Sequence, residues 1–211
     1  HGRTSRRWQM RRPNTILTRD DETRLIEAAK HSRDKALLAV LSEGGCRITE
    51  TMNLRLRDVT KIENGATYYR LSLREVKSKG QERIVTIIEA APFLAGWLAK
   101  FPRTDPNAYL FAGRGGKRSM SLTEARRLLR EVEKVAQIGK PVNPHAFRHA
   151  SITHDLQAGH PTTGVSLKHW GVPSSQMIPT YAHLVPGSME DSYLVAAGIT
   201  PSKTNAIALG K

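Results

Sequence analysis

Two short stretches carry side chains able to do chemistry on a phosphate. One is Asn143-Pro144-His145-Ala146-Phe147-Arg148-His149; the other, roughly thirty residues on, is Thr180-Tyr181-Ala182-His183-Leu184. Asn143 is a strong N-cap and Pro144 suits the first helical position, so a helix is expected to begin here. His145 and Arg148, at i and i+3, then share one face. They lie beside free N–H groups at the positive end of the helix, a natural place for a phosphate. A guanidinium offers a fork of donors matched to phosphate oxygens. A histidine holds or passes a proton near neutral pH, and the Tyr181 hydroxyl is a candidate covalent nucleophile toward phosphorus. Taken singly, each is ordinary. A His-x-x-Arg on a helix is usually solvated, and a lone tyrosine is usually a half-buried wedge with its hydroxyl in water. His145 and His149, four apart, are a conceivable metal face. No acid lies between them to complete a zinc-protease pattern, so no metal site is expected.

Composition narrows the chemistry. The chain has 211 residues, 39% of them hydrophobic, enough for one packed domain and a small appendage. No run of about 18 apolar residues occurs, so no membrane span is expected. No apolar stretch follows the basic N-terminus in the manner of a signal peptide. The single cysteine, Cys46, excludes an intramolecular disulfide and a cysteine-based zinc site, and points to the reducing cytoplasm. The formal net charge is +14, from 33 Lys+Arg against 19 Asp+Glu. A domain this basic usually meets a polyanion, nucleic acid first of all. The charge is spread along the chain, which favours a folded cationic surface over a disordered arm.

Several elements must position these residues. Residues 1–15 read as a basic linker or arm; residues 1–13 hold five arginines and no acid. Thr18 to Asp21 resembles a capping box, with Leu25, Ile26 and Ala29 at helical spacing after it. A second helix from about Asp34 is apolar on most sides through Ala36–Leu41, so it should be central to the core, and Gly44-Gly45 ends it. Thr49 is expected to cap a short helix. That leaves Arg47 in the turn before a helix N-terminus, either beside a bound anion or satisfying loop carbonyls. Tyr69, Leu71 and Leu73 alternate with polar residues as a strand. Lys77-Ser78-Lys79-Gly80-Gln81 turns the chain, and Arg83–Ile88 returns as a second strand. A lysine at such a turn is usually solvated, but at the mouth of a phosphate site it is a candidate mobile acid. Pro92 to Lys100 is a proline-opened helix. Gly113–Arg118 is a glycine-rich basic loop without the Gly-Lys-Ser/Thr ending of a nucleotide-binding loop. Ser121-Leu122-Thr123-Glu124 is a capping box that starts a long amphipathic helix, ended by Gly139 and Pro141. The His145 helix runs to about Ala158. Ser166 to Tyr181 reads as irregular because Pro173 and Pro179 interrupt it. A last helix runs from Ser188 to Ala197, and a polar tail with an apolar patch, Ala206–Leu209, ends the chain. The expected fold class is α+β, mainly helical, with a small antiparallel β-sheet; the expected divisions are 1–15, 16–198 and 199–211.

With these residues placed, the chain resembles the catalytic domain of a tyrosine recombinase of the phage or archaeal integrase type over roughly residues 16–198. Four blocks occur in the family's order: Gly44-Gly45-Cys46-Arg47-Ile48-Thr49-Glu50, Lys79-Gly80-Gln81-Glu82-Arg83, His145-Ala146-Phe147-Arg148-His149, and Tyr181-Ala182-His183-Leu184. Glu82 through Pro92 and the region from Met177 resemble archaeal members in particular. The resemblance implies a metal-independent, cofactor-free enzyme that cleaves and rejoins double-stranded DNA through a 3′-phosphotyrosyl link. It implies Tyr181 as nucleophile, Arg47 and Arg148 on the non-bridging oxygens, His145 in proton transfer and Lys79 as general acid, with Lys77 as the alternative. It also implies tetrameric self-association on DNA. The family usually places a His or Trp after a glycine some nine residues before the tyrosine; here Val172 follows Gly171, and His169 and Trp170 lie just upstream as possible substitutes. That departure keeps open a DNA-binding protein on the same fold with impaired or no catalysis; a DNA-relaxing, topoisomerase-like enzyme is a third reading. Family members usually carry an N-terminal helical clamp domain, and this chain starts near the expected linker, as a catalytic fragment or a shortened protein would.

Overall fold

The computed structural model describes residues 16–74 and 82–184. Helix α1, Arg19–Ala28, opens on the expected box: the Thr18 hydroxyl accepts from Asp21 N and the Asp21 carboxylate accepts from Thr18 N. Helix α2, Ser32–Gly44, is buried almost all round from Ala36 to Leu41 and packs against α1. A helix with so little polar surface can sit only at the centre of a core. It ends as Gly45 turns into the left-handed region at φ 55°. Helix α3, Ile48–Asn53, follows at once.

The sheet is a three-stranded antiparallel meander of β1, Val59–Asn64, β2, Ala66–Arg74, and β3, Glu82–Ile87. Strand β1 was not expected from sequence, because its lone apolar pair, Val59 and Ile62, breaks a strict alternation. On the inner face Leu73 pairs with Arg83, Leu71 with Val85 and Tyr69 with Ile87. That register puts Arg83 on the buried face with Val85 and Ile87.

Helix α4, Ala91–Leu98, and helix α5, Leu122–Ala136, match expectation, as does the Ser121–Glu124 capping box. The end of α5 differs: Gln137 takes the left-handed turn at φ 51°, two residues before Gly139. Helix α6, Pro144–Gln157, is capped by the Asn143 side chain, which accepts from Ala146 N at 3.0 Å. It packs on α2. The stretch from Ser166 is corrected: Thr162–Trp170 is a regular helix, α7, and Ile178–Leu184 is a 3-10 turn. Pro161 stands at the N-cap of α7 and Pro173 lies beyond its end, so neither proline interrupts it. Most of the core surrounds α2, and a second apolar cluster joins Ile152 and Leu156 of α6, Val165 of α7 and Tyr181. The mainly helical α+β class is as the sequence implied. The linker, the Lys77–Gln81 turn, the Ser188 helix and the tail lie outside the described residues. Among the described residues, no helix is long and apolar enough to cross a membrane.

Candidate active site

The site is built where α2 gives way to α3. Arg47 itself is the N-cap of α3, not Thr49. Its backbone N–H donates to Glu50 Oε2 at 2.8 Å, and its Nη1 donates to Glu50 Oε1 at 3.0 Å. A carboxylate three residues on satisfies an otherwise orphaned donor at the helix start. The Arg47 side chain stays more than a third exposed while Glu50 is buried.

Glu50 also takes both terminal nitrogens of Arg83, at 2.6 and 2.7 Å. This pair is almost wholly buried, and Arg83 Nε donates to the carbonyl of Lys168 at 2.9 Å. The next carbonyl, of His169, accepts Arg148 Nη2 at 2.6 Å, and Gly45 O accepts Arg148 Nη1 at 2.8 Å. The last turn of α7 therefore presents two orphan carbonyls, at the negative end of its dipole, to two guanidiniums. The Arg148 guanidinium also lies 5.2 Å from the Trp170 ring centroid. Burial, then Arg47 and Arg83, bring the Arg148 pKa down to about 10, so it remains a cation at neutral pH. Burial acts to raise Glu50, but Arg83 and then Arg47 hold it below the usual carboxylate range. One ionised carboxylate thus sits among three guanidiniums, and the surplus positive charge favours an anion.

Helix α7 is tied to α6 in turn. Asp155 accepts both Lys168 Nζ, at 2.8 and 3.0 Å, and His169 Nε2, at 2.9 Å. Burial keeps the His169 imidazole neutral, against the pull of Asp155. Its Nδ1 has no hydrogen-bond partner among the described residues and lies over Gly45, where an added Cβ would fall 2.4 Å from His169 Cε1.

Tyr181 stands on the 3-10 turn with its ring among Ile152, Leu156 and Val165. Its hydroxyl is 2.8 Å from His149 Nδ1. Burial raises its pKa, and Arg148 offsets part of that rise.

Of the residues expected from sequence, Arg47, Arg148 and Tyr181 are gathered here, with Arg148 electrostatically coupled to both others. His145 is exposed on the first turn of α6 and makes no hydrogen bond to a described residue. The ring of His169 is enclosed, and it is the backbone carbonyl that reaches Arg148. Val172, just past the left-handed Gly171, brings no side-chain donor. Lys77 and Lys79 lie outside the described residues. Among the described residues, no group of three metal-binding side chains is assembled. Sequence reasoning missed Glu50, Arg83, His149 and Asp155 as parts of the site. A signal existed for Arg83, whose place in the 83, 85, 87 alternation makes it inward-facing. His149 shares a helical face with Ile152 and Leu156.

The model of the phage integrase family matches residues 15–186. Tyrosine recombinase XerD of Bifidobacterium longum is 28% identical over 205 residues, covering 86% of this chain and 62% of the relative. Tyrosine recombinase XerA of Pyrococcus horikoshii is 29% identical, over 68% of this chain and 48% of the relative. The chain therefore spans about half to three-fifths of the curated relatives it matches. Among solved structures, a crystal structure of XerA recombinase superposes with a TM-score of 0.64 at 24% identity, covering 89% of this chain and 65% of that one. XerH recombinase bound to its palindromic difH substrate, in a post-cleavage complex, gives 0.66 at 19%, covering 88% and 54%. These likenesses establish a shared fold.

Proposed function

The chain belongs to the phage integrase family, and on that premise we propose that it is the DNA-cleaving and DNA-joining part of a site-specific tyrosine recombinase. One observation carries the reading: two guanidiniums bind a single carboxylate, and a third, within electrostatic reach of it, is coupled in turn to a tyrosine hydroxyl. Tyr181 attacks a phosphodiester of double-stranded DNA and holds the 3′ side covalently. Arg47 and Arg148 take the non-bridging oxygens, where negative charge grows in the transition state. Lys79, or Lys77, gives a proton to the departing 5′-oxygen, and His145 assists proton transfer. Arg83, Glu50 and Asp155 hold the arginines in place. Reversal on a partner strand completes an exchange, which implies assembly of several protomers, a tetramer on this reading, on two DNA duplexes. The work is done in the cytoplasm, where the DNA is.

Val172 motivates a second reading, a binding protein with impaired catalysis, because a valine cannot donate to the phosphorane oxygens. The test uses nicked duplexes with randomised central base pairs, so that cleavage next to the nick traps the covalent complex. Wild type should give a protein–DNA band on a denaturing gel that Tyr181→Phe lacks. A band only with Val172→His would mean a crippled site. Binding without a band in any lane would sink the recombinase reading.

A further inference from the structure

Tyr181 must shed a proton as its oxygen bonds to phosphorus. Its ring is buried against Ile152, Leu156 and Val165, and burial favours the neutral phenol. A phenol of that kind needs a base within hydrogen-bond reach. We infer that His149 is that base, accepting the Tyr181 proton at Nδ1; the inference rests on the recombinase reading and adds a catalytic residue to it.

The geometry supports the assignment from two sides. Nδ1 lies 2.8 Å from Oη, with the ring centroids 5.1 Å apart and the planes at 51°. The contact is held by packing, since Ile152 and Leu156, at i+3 and i+7 from His149, continue the same α6 face beneath the tyrosine ring. His145 is placed differently. It lies one turn earlier, about 6 Å back along the helix axis, and its side chain is exposed. His149 also follows Arg148 directly, so the base and one phosphate-binding cation are set by neighbouring backbone positions of a rigid helix.

The step balances. An Oη lone pair forms the bond to phosphorus while the Oη–H proton passes to Nδ1, with the imidazole entering as the Nε2–H tautomer. The P–O5′ bond breaks, and the 5′-oxygen takes a proton from the general acid to leave as a hydroxyl. In rejoining, the 5′-hydroxyl attacks, its proton returns to that acid, and the imidazolium restores the phenol proton.

The experiment follows trapping on those duplexes that wild type cleaves, selected from the randomised nicked pool. His149→Ala should slow covalent-complex formation by about 10²- to 10⁴-fold, the usual contribution of a positioned general base. Added imidazoles should restore its rate, more strongly as their pKa rises. His149→Asn and His149→Gln each keep a polar acceptor but cannot take the proton, so they should stay slow. Thermal melting and binding of the same duplexes verify the fold; if the alanine variant is unfolded, the Asn and Gln variants decide. Either of those trapping within about twofold of wild type would reduce His149 to a bystander. Rescue independent of imidazole pKa would make it a positioning residue and overturn the assignment. A wild type that traps nothing would instead overturn the recombinase reading itself.

Discussion

Arg148 is held by two backbone carbonyls from different elements, Gly45 O and His169 O. A lysine has one point charge in place of the fork and cannot reproduce both bonds and a phosphate contact together. Arg148→Lys should therefore lower the rate of covalent-complex formation by about 10²- to 10³-fold, the scale of losing one oxyanion donor. Duplex binding, measured by filter retention in low salt, should change far less. Gly45 is the other sensitive position. It combines a φ of 55° with the enclosed His169 ring, so a Cβ there has neither an easy backbone angle nor space. Gly45→Ala should cost on the order of 1–3 kcal/mol in denaturant unfolding. It should also slow trapping, since the same residue carries the carbonyl under Arg148. At this scale the sequence was informative about three residues that the structure gathers in one place. Arg47, Arg148 and Tyr181 were named from their chemistry and their motifs. The groups that hold them were not, because Glu50, Arg83 and Asp155 act through contacts between segments 14 to 85 positions apart, and no local pattern encodes such a contact.

Among elements, α7 does more than its length suggests. Nine residues carry Val165 into the second cluster, two carbonyls to the arginines, and Lys168 and His169 to Asp155. Its presence was hidden in the sequence. It has no side-chain cap, contains Gly164, and leaves Leu167 exposed at 46%, so its apolar pattern is weak. The helices with strong boxes, α1 and α5, were legible to within a residue or two, since their start signals are local chemistry. The strut between β3, α3 and α7 is the Arg83–Glu50 pair. Removing one partner leaves a buried charge uncompensated. Arg83→Met should destabilise the fold by about 3–5 kcal/mol, and the double variant with Glu50→Leu should recover much of that in urea unfolding. The double variant should still trap slowly, because Glu50 also orders the Arg47 turn.

For the molecule as a whole, buried ionisable groups set a pH profile. Burial raises the Glu22 pKa from its ordinary 4.5 to about 7, with Ser42 and Arg19 offsetting only part. Between those values the fold holds a proton that the unfolded chain has released, so stability falls as pH rises through that window. His154 faces Glu22 at 3.6 Å and moves the other way, from 6.5 to about 4, chiefly by burial. The unfolded chain then binds a proton that the fold refuses, so stability falls as pH drops from 6.5 toward 4; the buried His169 acts in the same direction. The two trends oppose each other below pH 6.5, and above it Glu22 acts alone. Glu22→Gln should raise the melting temperature at pH 8 relative to wild type and lose that advantage at pH 5, as read by thermal unfolding in matched buffers.

Cys46 lies directly between Gly45 and Arg47, 1% exposed, with its thiol pushed up to about 11 by burial. It is the chain's one sulfhydryl. A maleimide can reach it only when the α2–α3 junction opens, because the thiolate is both scarce and enclosed. The natural chain is thus its own clock for that junction: labelling should be slow in the folded protein, immediate in denaturant, and slower again when a phosphate-rich ligand braces Arg47. A single mass-spectrometric time course would report how often the floor beneath Arg47 and Arg148 gives way.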